Sequence, residues 1–331
     1  MPMDLEGCDF LLTFKCIAKC RHCTYRASPD RIGVMSVNDF QNYMTTLAHE
    51  QSLDWITFRG GEPFLFYKTL KRCIQFAHKL GQKEIAVITS GYWGGNQTNA
   101  QTKLQELKKA GLTSAYFSVD AFHQEFVPFR SAHTAINAAR VIGFDNIVVT
   151  SQFLGPIESR NPFNRETEEN LERLKLPEDF RIDRHLLDIE GRAADHLTRH
   201  LKCKAGIPKG KCVLSDWAGE TLKDPKTIEI DFQGNVTICP GLCIGNAKIE
   251  PLSKIIKEYD YRSHPIIELL VDGGPQKLSE LLDTAKHIHA GRYVSECHLC
   301  YEIRRQLRGR FPESLAPENC YREQECEGKR R

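Results

Sequence analysis

The amino-acid sequence predicts an α/β protein, with a parallel sheet in residues 1–195 and a smaller, cysteine-rich α+β extension in residues 196–331. Two observations predict the sheet: short runs alternate with helical segments, and those runs are almost continuously apolar. Such alternation is typical of a parallel sheet with helices outside it, and its strands are apolar because both faces are buried. Beyond residue 195 the alternation stops, cysteines return, and a hairpin pattern appears.

The six predicted strands are short apolar runs that end at polar or glycine-containing turns. They lie within residues 10–14, 55–58, 85–89, 115–120, 147–150 and 180–189. The alternation alone does not distinguish an open sheet from a barrel.

Helices are predicted between these strands from apolar residues at helical spacing, and Gly81, Gly111 and Gly143 are predicted to end three of them. The first helix is predicted to bury Phe40, Tyr43, Met44 and Leu47. The second is predicted to bury Leu70, Cys73, Ile74 and Ala77. Cys73 is therefore predicted to be a core thiol and not a metal ligand.

Composition excludes several classes of protein. The chain has 331 residues, 41% of them apolar, and a formal net charge of +2. A packed core is therefore expected, while a nucleic-acid partner is not. No apolar run is long enough for a membrane span, and the first residues do not resemble a signal peptide. The 13 cysteines are then expected to bind metal in a reducing cytoplasm and not to form disulfides.

The most informative motif directly follows the first predicted strand. Cys16, Cys20 and Cys23 are separated by three and then two residues. Three close thiolates can hold three irons of a [4Fe–4S] cluster and leave the fourth iron open to a small molecule. A zinc knuckle is the alternative interpretation.

A second motif, Gly60-Gly61-Glu62-Pro63, follows the second predicted strand. Together, C-x3-C-x2-C and GGEP resemble the radical S-adenosylmethionine (SAM) superfamily. The resemblance implies a partial (β/α)6 barrel, a [4Fe–4S] cluster on Cys16, Cys20 and Cys23, and SAM bound to the open iron. Gly60, Gly61 and Glu62 would hold the amino group of SAM. An external electron donor such as flavodoxin or ferredoxin would drive cleavage of SAM to a 5′-deoxyadenosyl radical, which abstracts a substrate hydrogen.

Polar residues at the ends of other strands are further candidates, because barrel chemistry lies at the carboxyl ends of strands. Ser118 and Asp120 resemble the pair that the family places near the SAM ribose, and Ser90 ends the third strand. His22 replaces the usual aromatic residue near adenine, which leaves that contact open. His123 is a candidate catalytic residue that faces substrate, or else a capping histidine.

The extension carries a second set of cysteines around a hairpin in residues 228–239 that turns at Gln233-Gly234-Asn235. A cysteine, a hairpin with G-x4-C, and a later C-x2-C resemble the Twitch extension, the short relative of the SPASM domain. The resemblance implies a second [4Fe–4S] cluster with these ligands: Cys212, Cys239, Cys297 and Cys300.

Alternatives remain for this second site. Cys203 or Cys243 could replace a ligand, and four cysteines also suit a structural zinc ion. A third cluster is not expected, because Gln306 stands where the full SPASM pattern has a cysteine. Cys320 and Cys326 lie in a predicted polar tail, as exposed thiols, ligands or a catalytic hydrogen donor.

A cluster with four thiolate ligands has no open iron, so its expected task is to accept an electron. This favours oxidation or bond formation on a small molecule or a ribosomally made peptide. Epimerisation with a structural metal site, tRNA modification and a cluster-bearing module without turnover are the alternatives. The intact GGEP motif disfavours the last of these. The first strand begins by about Phe10, so no fused leader-binding domain is expected, and a separate peptide-recognition protein is a possible partner. Arg304, Arg305, Arg308 and Arg310 are expected to form a solvated helix face.

Overall fold

The structure is a computed structural model that describes residues 3–212, 220–282 and 288–322. The strands are β1 Gly7–Thr13, β2 Trp55–Gly60, β3 Glu84–Thr89, β4 Ser114–Ser118, β5 Asn146–Phe153, β6 Ile182–Leu186, β7 Thr227–Asp231, β8 Asn235–Cys239 and β9 Leu242–Asn246. The helices are α1 Val37–Glu50, α2 Tyr67–Lys79, α3 Gln97–Ala110, α4 Ala121–Gln124, α5 Phe129–Ile142, α6 Pro162–Arg173, α7 Arg192–His196, α8 Leu252–Lys257, α9 Ile267–Leu278 and α10 Glu296–Leu307.

All of these strands belong to one sheet, in the order β6-β5-β4-β3-β2-β1-β7-β8-β9. Neighbours from β6 to β7 are parallel, whereas β7, β8 and β9 form antiparallel pairs. The predicted α/β class, the six parallel strands and the later hairpin are therefore confirmed. The carboxyl ends of β1 to β4 lie side by side, which brings the loops that follow them together.

The predicted helix faces pack against this sheet. Helix α1 begins after the cap Ser36 and buries Phe40, Tyr43, Met44 and Leu47, and α2 buries Leu70, Cys73, Ile74 and Ala77. Cys73 is completely buried, as predicted for a core thiol. Helices α3 and α5 end at Gly111 and Gly143, which adopt the left-handed conformation that favours glycine.

The hairpin of the extension continues the sheet of the barrel. β7 pairs with β1 from Gly7↔Thr227 to Leu11↔Asp231, and Ile228 and Ile230 are buried there. The division of the chain at residue 195 stays a prediction, but the sheet itself crosses that boundary.

Two expectations for the C-terminal region are wrong. Arg304 does not lie on a solvated face, since only 2% of it is exposed and it forms an ion pair with buried Glu190. Cys320 does not lie in a polar tail, because it packs in the core beside Tyr321 and Leu315. In both cases, contacts with residues distant in sequence decide burial. Cys326 lies outside the described residues.

Candidate functional site

The loop after β1 holds the three clustered thiols. Cys20 is buried, and Cys16 and Cys23 are half-buried. Backbone bonds shape the loop: the Cys16 amide donates to the Ser28 carbonyl at 3.1 Å, and the Cys23 amide donates to the Cys20 carbonyl at 3.1 Å. Burial and the nearby Glu62 carboxylate raise the pKa of Cys16 to about 12. Burial and the other two thiols also raise the pKa of Cys20. Deprotonated thiols are unfavourable at such a site unless a cation balances their negative charge. The three thiols therefore suit the irons of an iron–sulfur cluster.

The glycines of the second motif pack against this loop. Gly60 has a φ of 121°, and a Cβ atom on Gly61 would overlap the Lys15 carbonyl. The Gly61 amide donates to the Thr13 carbonyl at 2.6 Å, and the Glu62 amide donates to the Lys15 carbonyl at 2.9 Å. Glycine is thus needed at both positions to seat the loop after β2 on the loop after β1.

The Glu62 carboxylate joins the ends of β2 and β3. It accepts hydrogen bonds from the Phe64 amide at 3.2 Å and the Thr89 hydroxyl at 2.8 Å, and from the amide and hydroxyl of Ser90 at 3.0 and 2.6 Å. Burial raises the pKa of Glu62, against the opposing effect of the bonds from Ser90 and Thr89. Glu62 and Ser90, both predicted site residues, are therefore in direct contact.

Asp120 and His123 form an ion pair beyond the end of β4. His123 Nδ1 lies 2.9 Å from Asp120 Oδ2, and Asp120 Oδ1 accepts from the amides of Phe122 and His123 at 3.0 and 2.9 Å. Burial opposes the charge on Asp120, but His123 outweighs it and lowers the pKa of Asp120. Burial likewise opposes the charge on His123, but Asp120 raises the pKa of His123. Asp120, not His123, is therefore the N-cap of α4, and the His123 ring pairs with that cap. The catalytic role of His123 stays a prediction.

His22 lies beside the Asp120–His123 pair. Its ring lies 4.8 Å from that of His123 and 5.1 Å from that of Phe122, and its buried Nδ1 has no hydrogen-bond partner. Burial lowers the pKa of His22 to about 3. Ligand atoms of His22, Asp120 and His123 lie within 4.8 Å of one another, a spacing that suits a metal ion. Four N–H groups already donate to the Asp120 oxygens. We therefore interpret these three residues as a hydrogen-bonded cluster and not as a metal site.

The first set of predicted residues therefore comes together at one edge of the sheet. The cysteine loop follows β1, Glu62 follows β2, Ser90 follows β3, and Ser118 and Asp120 end or follow β4. The four strands are neighbours in the sheet, and Ser118 and Asp120 are both buried. This group of side chains around the three thiols is the candidate SAM site.

The second set of thiols comes from separate parts of the extension. Cys212 lies in a loop, Cys239 ends β8, and Cys297 and Cys300 lie on the first turn of α10. Burial, the Cys300 thiol and the carboxylates of Glu190 and Asp188 raise the pKa of Cys212 to about 12. The thiols of Cys212 and Cys300 also raise the pKa of Cys239. Cys300 is buried, Cys212 and Cys239 are half-buried, and Cys297 is exposed.

Cys243 has different surroundings. Its thiol donates to the Gly245 carbonyl at 3.1 Å, and after burial its main charged neighbour is Asp231.

Zinc–thiolate bonds of about 2.3 Å would place sulfurs roughly 4 Å apart. Among the described residues, no three of the four predicted ligand sulfurs lie within 4.8 Å of one another.

Sequence reasoning missed three charged residues that connect the two sets of thiols. Arg192 donates to the Cys20 carbonyl at 2.8 Å and to the Ala27 carbonyl at 2.6 Å. Glu190 binds Arg304, which lies beside the second set. The spacing of Arg304, one helical turn after Cys300, was the signal that could have indicated its position.

Comparisons with known proteins agree with this geometry. The fold and the site define an α/β partial barrel with a cysteine loop at the carboxyl ends of its strands. Residues 10–169 match the family model of the Radical SAM superfamily. This part of the chain is therefore a radical SAM domain.

A sequence relative and two solved structures extend the comparison. The chain is 29% identical over 129 residues to YydG of Bacillus subtilis (strain 168), whose name connects it with peptide biosynthesis. That match covers 39% of this chain and 40% of YydG, well under two thirds of the relative's length. Streptococcus suis SuiB bound to precursor peptide SuiA has a TM-score of 0.55 at 13% identity, covering 89% of this chain and 76% of the other. SuiB bound to S-adenosylmethionine has a TM-score of 0.51 at 11% identity, covering 96% and 77%. These structural likenesses show the fold alone.

Helices were also compared with the length and apolarity that a bilayer requires. Within residues 3–212, 220–282 and 288–322, no helix meets both requirements.

Proposed function

We propose that this chain is a radical SAM enzyme that cleaves SAM reductively and removes a hydrogen atom from its substrate. The observation that carries the proposal is the meeting of three thiols with Glu62, Ser90 and Asp120 at the carboxyl ends of β1 to β4. When bound, the [4Fe–4S] cluster and SAM supply a 5′-deoxyadenosyl radical for that hydrogen abstraction.

The residues of the chain have separate tasks in this proposal. Cys16, Cys20 and Cys23 hold the cluster. Gly60, Gly61 and Glu62 hold the SAM amino group, and Ser90 keeps the Glu62 carboxylate oriented through its amide and hydroxyl. Ser118 and Asp120 contact the ribose, and His22 lies at the adenine. The Asp120–His123 pair fixes the His123 ring, so that its second nitrogen is available to a substrate.

A peptide is the favoured substrate class, with a small molecule as the other possibility. The names of YydG and of the SuiB–SuiA complex support a peptide. A separate recognition protein and a flavodoxin or ferredoxin as electron donor are the proposed partners. The many reduced thiols suit the cytoplasm, where disulfides are rare.

A second [4Fe–4S] cluster on Cys212, Cys239, Cys297 and Cys300 would make the reaction an oxidation or an oxidative bond formation. Four thiolate ligands leave no open iron, so this cluster would accept the electron that the substrate radical must lose. The influence of the Cys300 thiol on the pKa of both Cys212 and Cys239, and the position of Cys297 and Cys300 on one helix, support the proposal.

Epimerisation is the second candidate reaction, and the position of Cys320 favours it. This thiol is 2% exposed and is not among the four proposed ligands, and the Cys320 carbonyl accepts a hydrogen bond from Arg26 of the barrel at 3.2 Å. In this proposal Cys320 would return a hydrogen atom to the substrate radical.

The test is anaerobic reconstitution of the full chain and of Cys16→Ala/Cys20→Ala/Cys23→Ala, followed by iron and sulfide analysis. We expect about eight irons per chain in the wild type and about four in the variant. Only the wild type should form 5′-deoxyadenosine from SAM with a strong reductant. Cys73→Ala, which removes a buried thiol of α2, is the matched control and should keep the iron and the cleavage activity.

Iron in the triple variant equal to that in the wild type would contradict the assignment of the first cluster. About four irons falling to none, with zinc present, would make the second site structural and would favour epimerisation over oxidation.

A further inference from the structure

Arg304 is a charged side chain buried between the barrel and the extension. It is 2% exposed, and its guanidinium donates to the Pro240 carbonyl at 2.8 Å, the Tyr321 hydroxyl at 3.1 Å and the Glu190 carboxylate at 3.2 Å. Its Nε is buried without a hydrogen-bond partner. A buried donor left unpaired is costly, so an unpaired Nε in a side chain held this firmly indicates a missing acceptor.

The second set of thiols lies next to this side chain. Arg304 follows Cys300 by one turn of α10, so both side chains lie on the same face of the helix. Its bond to the Pro240 carbonyl places it next to Cys239, the preceding residue. The guanidinium therefore faces two of the four proposed ligands.

We propose that Arg304 is a positioning residue that sets the reduction potential of the second cluster, an inference that rests on the cluster in the proposed function. Reduction adds one negative charge to the cluster. A permanent positive charge and an N–H donor close to its sulfurs stabilise the reduced form, most strongly where water is excluded. Arg304 thereby makes this cluster a better electron acceptor.

Arg304 has a neighbour that serves as a matched control. Arg305 carries the same charge on the same helix, but its guanidinium binds Asp195 at 3.0 Å and Glu302 at 2.7 Å and is partly exposed. Arg305→Met thus removes an equal charge from the side of α10 that binds Asp195 and Glu302.

The experiment is a redox titration followed by electron paramagnetic resonance on the full chain carrying Cys16→Ala/Cys20→Ala/Cys23→Ala, so that only the second cluster gives a signal. We compare this protein with the same chain carrying Arg304→Met, Arg304→Lys or Arg305→Met. Arg304→Met should lower the ratio of reduced to oxidised cluster at a given potential at least tenfold, about 59 mV for one electron. Arg304→Lys should lie between it and the parent, and Arg305→Met should change the ratio less than threefold.

Equal potentials in the parent, Arg304→Met and Arg304→Lys would overturn the inference and leave the proposed function intact. An equal shift in Arg305→Met would also overturn it, because any nearby charge would then suffice. If Arg304→Met loses its iron, Arg304→Met/Glu190→Gln is compared with Glu190→Gln alone, and the tenfold shift is expected between those two proteins because both lack the carboxylate. A parent without a second cluster would overturn this inference and the proposed oxidation but not the cleavage of SAM at the first site, and iron analysis identifies that case.

Discussion

At the scale of single residues, close backbone contacts shape the first site as much as chemical groups do. Gly60 and Gly61 are needed because the loop after β2 lies directly on the loop after β1. The sequence suggested that these glycines allow SAM to approach the backbone. The structure adds that they allow the cysteine loop itself to be seated.

Gly61→Ala tests this packing. The added Cβ would overlap the Lys15 carbonyl and push the cysteine loop away, because backbone atoms cannot move as a flexible side chain can. We expect the iron of the first cluster and the formation of 5′-deoxyadenosine to fall at least tenfold. Gly95→Ala is the control, since a Cβ there meets no atom within 4 Å. Retention of iron by Gly61→Ala would show that the contact is not needed.

The Asp120–His123 pair predicts a pH dependence of stability. The lowered pKa of Asp120 adds stability that is present above its unfolded value of about 3.9 and is lost as the pH falls through the lower folded pKa. The raised pKa of His123 adds stability that is complete below about 6.5 and is lost as the pH rises through the higher folded pKa.

Asp120→Asn should therefore destabilise the protein by about 2 kcal/mol at pH 6, through loss of the ion pair and a weaker helix cap. The difference from the wild type should become smaller at pH 9 than at pH 6, because His123 loses its charge as the pH rises through its raised pKa. Denaturant unfolding of both proteins at the two pH values measures it. A difference that is the same at both pH values would mean that the ion pair adds nothing beyond the hydrogen bonds of Asp120.

At the scale of secondary-structure elements, the second site depends on how a loop, a strand and a helix meet. Helix α10 supplies two thiols and Arg304 from one face, while β8 supplies Cys239. The G-x4-C and C-x2-C patterns predicted these thiols. The rival ligand Cys243 lies on β9, where its thiol donates to a carbonyl of the same strand.

Cys239→Ala and Cys243→Ala together test which of these two thiols is a ligand. We expect Cys239→Ala to lower the iron from about eight to about four per chain, because loss of a thiolate ligand destabilises the second cluster. Cys243→Ala should keep about eight. Iron and sulfide analysis after anaerobic reconstitution gives the numbers. The reverse pattern would assign Cys243 as the ligand.

At the scale of the whole molecule, one sheet and a few buried charges join the barrel to the extension. β1 lies between β2 of the barrel and β7 of the extension. Arg26 donates to the carbonyls of Gly191 and Cys320 and pairs with Asp195. Arg192 binds the cysteine loop, and neighbouring Glu190 binds Arg304, so residues 190–192 contact the surroundings of both sets of thiols.

A chain that ends at residue 195 should therefore not fold as an independent barrel. It would lose the five register pairs between β1 and β7 and expose the apolar surface that Ile228 and Ile230 cover. An exposed strand edge of this kind promotes aggregation. Expression and size-exclusion chromatography should show aggregates, whereas a chain that ends at Arg322 should elute as a folded protein. A folded, monomeric 1–195 fragment would contradict this expectation.

Much of the fold and of the first site was determined by local sequence. Apolar periodicity located the faces of α1 and α2, including the buried thiol of Cys73, because such periodicity directly reflects the geometry of a helix. The spacing of Cys16, Cys20 and Cys23 and the GGEP motif are local as well, since each set of residues lies in one loop. The alternation of strands and helices placed both loops at the same edge of the sheet.

Only the tertiary structure decided the surroundings of these groups. The pairing of β7 with β1 and the burial of Arg304 and Cys320 depend on contacts between residues far apart in the chain. A sequence pattern records the preference of a residue for water or for the core, but it does not record which distant partner offsets the desolvation of a charge. For that reason the sequence indicated two sets of thiols, and only the fold revealed the buried charges that connect them.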